Sequence, residues 1–90
     1  MAFIVGPNKI EYEENGKILA EVCYPAGDDG AVDICHTYVD GALRGRGMAA
    51  QLLERAAEEI RKSERKAVAT CSYAVKWFSE HPEQRDILDT

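Results

Sequence analysis

Ninety residues, 46% of them hydrophobic and 30% charged, make one globular domain over residues 1–90 with enough apolar chain to bury its own core. A net charge of −5 argues against a general nucleic-acid binder. No apolar run approaches the about eighteen residues of a membrane span, and the N-terminus is too short and uncharged for a signal peptide. Cys23, Cys35 and Cys71 are widely spaced with no CxxC pair, so neither a disulfide framework nor a metal site is indicated and a reduced, cytoplasmic setting is expected.

Taken in order, Phe3 to Val5 reads either as a short first strand or as part of a longer irregular arm, broken by Gly6-Pro7-Asn8. Lys9 to Glu13 alternates, with Ile10 and Tyr12 on one face. Lys17 to Tyr24 alternates again, with Ile18, Ala20, Val22 and Tyr24 facing one way and Leu19, Glu21 and Cys23 the other. The Asn15-Gly16 pair between them favours a tight turn and predicts an antiparallel hairpin. After a Pro/Gly/Asp loop over 25–30, Ala31 to Val39 reads as a third strand. Val32, Ile34, His36 and Tyr38 share one face of it, and apolar groups on both faces suggest a central position.

The period then changes. Ala49, Leu52, Leu53, Ala56, Ala57 and Ile60 form one apolar stripe of a helix from Gly47 to about Ser63. Gln51, Glu54, Arg55, Glu58, Arg61 and Lys62 occupy its opposite face, with Glu58 and Lys62 spaced as an ion pair. Lys66 to Cys71 reads as a fourth strand, so the helix is a crossover between parallel neighbours. Ser72 to about Glu80 is a second helix, ended before Pro82, and Gln84 to Leu88 a last helical turn. The fold class is therefore α/β: a mixed sheet of four to five strands, an N-terminal antiparallel hairpin, one long crossover helix and a short C-terminal helix.

Between strand and helix lies Leu43-Arg44-Gly45-Arg46-Gly47-Met48-Ala49. A helix start offers unpaired N–H groups and the positive end of the macrodipole, and glycine lets a ligand approach the backbone closely, so an anion such as phosphate is the natural guest. The charge distribution agrees. Residues 1–40 carry eight acidic and two basic side chains, whereas residues 41–66 carry seven basic and four acidic.

In this setting the turn resembles the GNAT acetyltransferase superfamily, in which a Gln/Arg-x-x-Gly-x-Gly/Ala motif cradles the pyrophosphate of acetyl-coenzyme A. Arg44, Gly47 and Ala49 occupy its defined positions. His36-Thr37-Tyr38-Val39, the arginine–glycine turn, Cys71 and His81-Pro82-Glu83 together resemble the small single-domain GNAT-like family over residues 8 to 88. Gln84 departs from it, standing where an aromatic residue is expected. The resemblance implies acetyl-CoA as cofactor and an N-acetyltransferase acting on an undefined amine, either a small molecule or a protein lysine. It places the pantetheine arm along the backbone of Tyr38 and Val39, and the pyrophosphate on the N–H groups of Arg44, Gly45, Arg46, Gly47, Met48 and Ala49.

Two residues are candidates for the chemistry. Cys71, beside a helix N-terminus that lowers a thiol pKa, either accepts the acetyl group or packs beside the cofactor thioester. His36 is either a general base or a histidine bonded across the sheet. His81 reads as a helix-end residue. Tyr73 and Trp77 read as core contacts, with Tyr73 alternatively lining the acceptor site. Two rival readings are a noncatalytic acyl-CoA-binding or sensing module and a protein-interaction domain without a ligand.

Overall fold

A computed structural model describes residues 2–27, 30–43, 45 and 47–88. Strands β1 (Ala2–Val5), β2 (Lys9–Glu14) and β3 (Lys17–Cys23) form an antiparallel meander. Gly6 N–H donates to Lys9 O at 2.8 Å across the first corner. The second corner is Asn15-Gly16, with φ of 54° and 77°, the left-handed pair whose twist matches the strands it joins. The Phe3 region is thus a strand. Phe3 lies opposite Tyr12 with ring centroids 5.1 Å apart, and the Arg55 guanidinium stacks 3.8 Å over the Phe3 ring.

Ile10, Tyr12, Ala20, Val22 and Tyr24 are buried on the inner face of this sheet. The simple alternation of β3 fails at its start. Tyr12 pairs with Ala20 but Glu13 pairs with Ile18, leaving Leu19 as an extra residue. A bulge of this kind turns every preceding side chain over. Leu19 therefore packs toward the core, while Ile18 shares the face of Glu13 rather than that of Ala20.

The predicted strand over 31–39 is likewise two strands in two sheets. β4 (Val32–Ile34) pairs in parallel with β6 (Ala67–Ala69), and β5 (His36–Val39) pairs antiparallel with β3. Cys23 lies opposite His36 and also accepts the N–H of Cys35 at 3.3 Å, so Cys35 is the extra residue of a second bulge. The face assignment flips there. Val32 and Ile34 are buried, but His36 and Tyr38 are exposed, and Thr37 and Val39 take the inward side. β5 is the edge of the four-stranded sheet β1-β2-β3-β5, not a central strand.

Helix α1 (Met48–Lys62) lies on the inner face and buries Met48, Leu52, Leu53, Ala56, Ala57 and Ile60. Each large side chain of the stripe contributes about 1.5–3 kcal/mol of burial. The alanines let the axis come close to the strands. Glu58 and Lys62 meet at 4.0 Å as their spacing predicts. The helix ends on bonds from Ser63, Glu64 and Arg65 N–H back to Glu59, Arg61 and Ile60 carbonyls. That geometry forces Glu64 to φ 59°, a position usually held by glycine. Left-handed strain of about 1–2 kcal/mol at a non-glycine residue exceeds the extra backbone entropy of glycine, so Glu64→Gly is expected to stabilise the fold by about 0.5–1 kcal/mol. Urea titration with an unchanged slope checks this.

Helix α2 (Ser72–Glu80) buries Ala74, Trp77 and Phe78, and a 3-10 segment (Pro82–Ile87) follows it. His81 is indeed a helix-end residue. Its Nδ1 lies 2.8 Å from Trp77 O and its ring stacks on Trp77 at 4.7 Å. Arg61 fixes the tail through Asp86, at 2.9 and 2.7 Å, and through Gln84 Oε1 at 2.9 Å. Gln84 thus serves as a polar anchor where an aromatic was expected.

Candidate functional site

The division of the 31–39 segment opens the molecule. Up to Ile34 the chain stays with β6, whose continuation still donates Thr70 and Cys71 N–H to Ile34 O at 3.2 and 3.1 Å. Beyond Cys35 it follows β3, while the segment after β6 turns into α2, and the two diverge. Asp40 N–H donates to Leu19 O at 2.7 Å, so the even-numbered amides of β5 face β3. Thr37 N–H points the opposite way, to the Cys71 sulfur. By the same alternation Val39 presents its N–H and C=O to the divergence, and Tyr38 presents its own to β3.

Asp40 ends β5. Its carboxylate accepts from Ala42 N–H at 2.9 Å and its carbonyl from Leu43 N–H at 2.9 Å, starting a 3-10 turn over Gly41–Leu43. Gly45 and Gly47 follow, at φ 84° and 70°. Gly47 caps α1 from the left-handed region, with no side-chain hydrogen bond to the first turn and no acidic residue within it. A Cβ built on either glycine meets nothing within 4 Å, so both positions look into open space. Val39, Leu43, Gly45, Gly47, Met48, Ala49 and Tyr73 line a cleft of about 270 Å³ between β5, the turn and α2.

Cys71 caps α2 in an extended conformation at the root of this divergence. Its Sγ lies 3.4 Å from Thr37 Oγ1. Partial burial pushes the thiol pKa up, but hydrogen bonds from the Thr37 hydroxyl and from the N–H groups of Ala74, Tyr73 and Thr37 outweigh this, and the net shift is downward. The lowered pKa enlarges the thiolate fraction near neutrality. Cys71 is therefore expected to react with iodoacetamide at pH 7 faster than Cys23, whose pKa is raised by burial and by Glu21. Thr37→Val is expected to slow Cys71 several-fold, with the rate–pH curve moved to higher pH. Mass-mapped alkylation between pH 6 and 10 reads both effects.

Of the residues singled out in the sequence, Val39, Gly45, Gly47, Met48 and Ala49 converge on the cleft, and Cys71 caps α2 two residues before the cleft residue Tyr73. Arg44 and Arg46 lie outside the described residues. Tyr38 projects outward, its hydroxyl 3.2 Å from Asp40 Oδ2. His36 does not share a face with Ile34. It lies across β5 from Thr37 and Cys71, with Nε2 3.9 Å from Glu21 Oε1. Tyr73 is not a core residue: it is 48% exposed and walls the cleft. Thr37 belongs to the His36–Val39 stretch but was given no role of its own, because its inward position depends on a bulge that the strand pattern does not signal.

Residues 9–87 match the model of the GCN5-related N-acetyl-transferase family. The chain belongs to that family. Among curated relatives, Protein NATD1 of Xenopus tropicalis and of Homo sapiens are each 41% identical over 51 residues, 57% of this chain. The matched stretch is about half the length of these relatives, at 47% and 45%. The solution structure of a GCN5-like protein from Staphylococcus aureus has a TM-score of 0.79 and 28% identity, covering 98% of this chain and 87% of that one. The fold is shared with a protein of Clostridium acetobutylicum, predicted to be an acetyltransferase, in a crystal structure with acetyl-CoA. That likeness has a TM-score of 0.60 and 19% identity, over 91% of this chain and 58% of the other. This GCN5-related domain contains, among its described residues, no helix long and apolar enough to cross a membrane and no cluster suited to a metal ion.

Proposed function

We infer that this GCN5-related domain binds acetyl-CoA in the cleft between β5, the arginine–glycine turn and α2, and transfers acetyl to an amine. The observation that carries the reading is the α1 N-terminus: a glycine cap at φ 70°, no competing side-chain cap, no acidic residue in the first turn, and open space in front. The residues suit the cofactor. The N–H groups from Gly45 to Ala49 and the helix dipole hold a pyrophosphate, and Arg44 and Arg46 add charge-assisted contacts. The free backbone edge of Val39 takes up an extended amide chain such as pantetheine, and Tyr73 covers its flank.

When bound, acetyl-CoA supplies an activated acetyl thioester. Cys71 holds a reactive sulfur beside that position, steadied by Thr37 and by the first N–H groups of α2, and it serves either as acyl acceptor or as the group that exchanges a proton with the leaving sulfur. His36, on the far face of β5, takes no direct part with Cys71. The acceptor is an amine of a small molecule or of a protein lysine. Three unpaired thiols suit a reducing, cytoplasmic compartment.

Calorimetric titration of the reduced protein with acetyl-CoA and with CoA, repeated with Arg46→Ala, tests the reading. Saturable binding weakened by the substitution supports it, and release of free CoA with an amine panel, abolished in Cys71→Ala, supports transfer. Binding without turnover would favour the noncatalytic acyl-CoA module. A folded sample that binds neither ligand at millimolar concentration overturns both.

A further inference from the structure

The outer face of the sheet carries a second group of sulfur atoms, across β5 from the cleft. Cys23 stands on β3 directly opposite His36, and Cys35 is the bulged residue at the same point. The Cys35 N–H to Cys23 O bond of 3.3 Å ties the two backbones together. Cys35 and His36 both oppose Cys23 in the bulge, which makes Cys35 a cross-strand neighbour of Cys23, the placement that a disulfide with α-carbons about 4.4–6.8 Å apart requires. Both side chains leave on the outer side. Ile34 is buried inward, so Cys35 alternates outward, and Cys23 is the outward neighbour of buried Val22. Cys35 is exposed and Cys23 half-buried, and both are free thiols. Cys71 lies on the opposite side with Thr37.

We propose that Cys23 and Cys35 form a reversible disulfide pair, a site for thiol–disulfide exchange with small disulfides of the glutathione type. The Cys35 thiolate attacks one sulfur of the oxidised glutathione, forming a Cys35–glutathione bond and expelling one glutathione thiolate. The Cys23 thiolate then attacks Cys35 Sγ, forming the Cys23–Cys35 bond and expelling the second glutathione. Two electrons pass from the protein thiols to the small disulfide, and the two thiol protons end on the two glutathiones or in solvent. Exposure makes Cys35 the first attacker. Cys23 follows more slowly, because burial, Glu21, Glu11 and Cys35 hold its thiol pKa up against the opposing influence of Lys9. The product staples β3 to the junction of β4 and β5, two residues before Thr37.

The test incubates the reduced chain, as wild type and as Cys71→Ser, with oxidised glutathione at graded ratios to reduced glutathione. The expected result is the joint loss of the Cys23 and Cys35 thiols, a mass lower by two hydrogen atoms, a monomer on non-reducing gels, and a digest in which Cys23 and Cys35 peptides are joined. In Cys23→Ser the adduct is expected to stop at Cys35. A stable glutathione adduct on Cys35 with Cys23 still alkylatable in the wild-type chain, a disulfide-linked dimer, or no loss of either thiol overturns the proposal. The readout is independent of acetyl-CoA binding and of Cys71.

Discussion

Gly47→Ala is expected to weaken acetyl-CoA binding about a hundredfold while costing the fold only about 1–2 kcal/mol. The two effects have separate origins. At φ 70° an alanine is strained wherever it sits, which sets the stability cost. Apart from its chain neighbours, the added methyl meets no described atom within 4 Å, so it enters open space, which in the proposed binding mode the pyrophosphate would share. There it would displace a phosphate from one charge-assisted hydrogen bond worth about 1.5–3 kcal/mol, the upper part of which is a hundredfold. Gly30→Ala is the control. Gly30 has φ 85° and equally open surroundings but lies in the loop before β4, so it should lose similar stability and no affinity. Calorimetric titration of both variants, with thermal melts alongside, separates strain from occlusion. Equal affinities in the two would place the ligand elsewhere.

Trp77→Ala is expected to cost about 3–5 kcal/mol, lowering the melting temperature by well over 10 °C in a chain of this size. Trp77 is 5% exposed, meets Phe78 edge-on at 5.0 Å, and carries the stacked His81 ring that ends α2. Its loss removes the packing of α2 on both sides at once. Because Cys71 caps α2 and takes hydrogen bonds from the Tyr73 and Ala74 amides, the site should loosen with the helix. The Cys71 alkylation advantage should therefore shrink in parallel with stability. Trp77→Phe keeps an aromatic in the slot and should retain most of both. A Trp77→Ala protein with the wild-type melting temperature would show that α2 is held mainly by other contacts.

Much of this arrangement was legible in the residue order, for identifiable reasons. The Asn15-Gly16 pair can take two left-handed residues in succession, so the hairpin was fixed locally. The apolar stripe of α1 repeats at helical spacing over about three turns, and five of its six predicted residues are fully covered, with Ala49 half-buried. The errors fall at Leu19 and Cys35. A one-residue bulge leaves apolar residues on either side of it but reverses which face they share, and period-two patterning carries no mark of the slip. The second slip separated His36 from Ile34 and brought Thr37 to Cys71, a pairing between residues 34 positions apart. At the cleft, glycines and helix start were readable because their roles are backbone roles. Tyr73 was less so, because helical spacing to Trp77 describes a core neighbour and a cleft wall equally well.

The seam between the two sheets also bears on the order in which the structure assembles and comes apart. β1, β2 and β3 are joined by short corners and pair over most of their length, whereas β4 and β6 share three rungs and must close a segment of more than thirty residues. Loop-closure entropy makes such a parallel ladder the later event in folding. Ladders with few rungs are also the first to open in the native state. Amide exchange should accordingly be slowest in β2 and β3 and faster at Val32, Ile34 and Val68. The cleft lies where β5 of one sheet parts from α2, which follows β6 of the other, so a ligand that bridges β5 and α2 would tie the early-forming sheet to the late one.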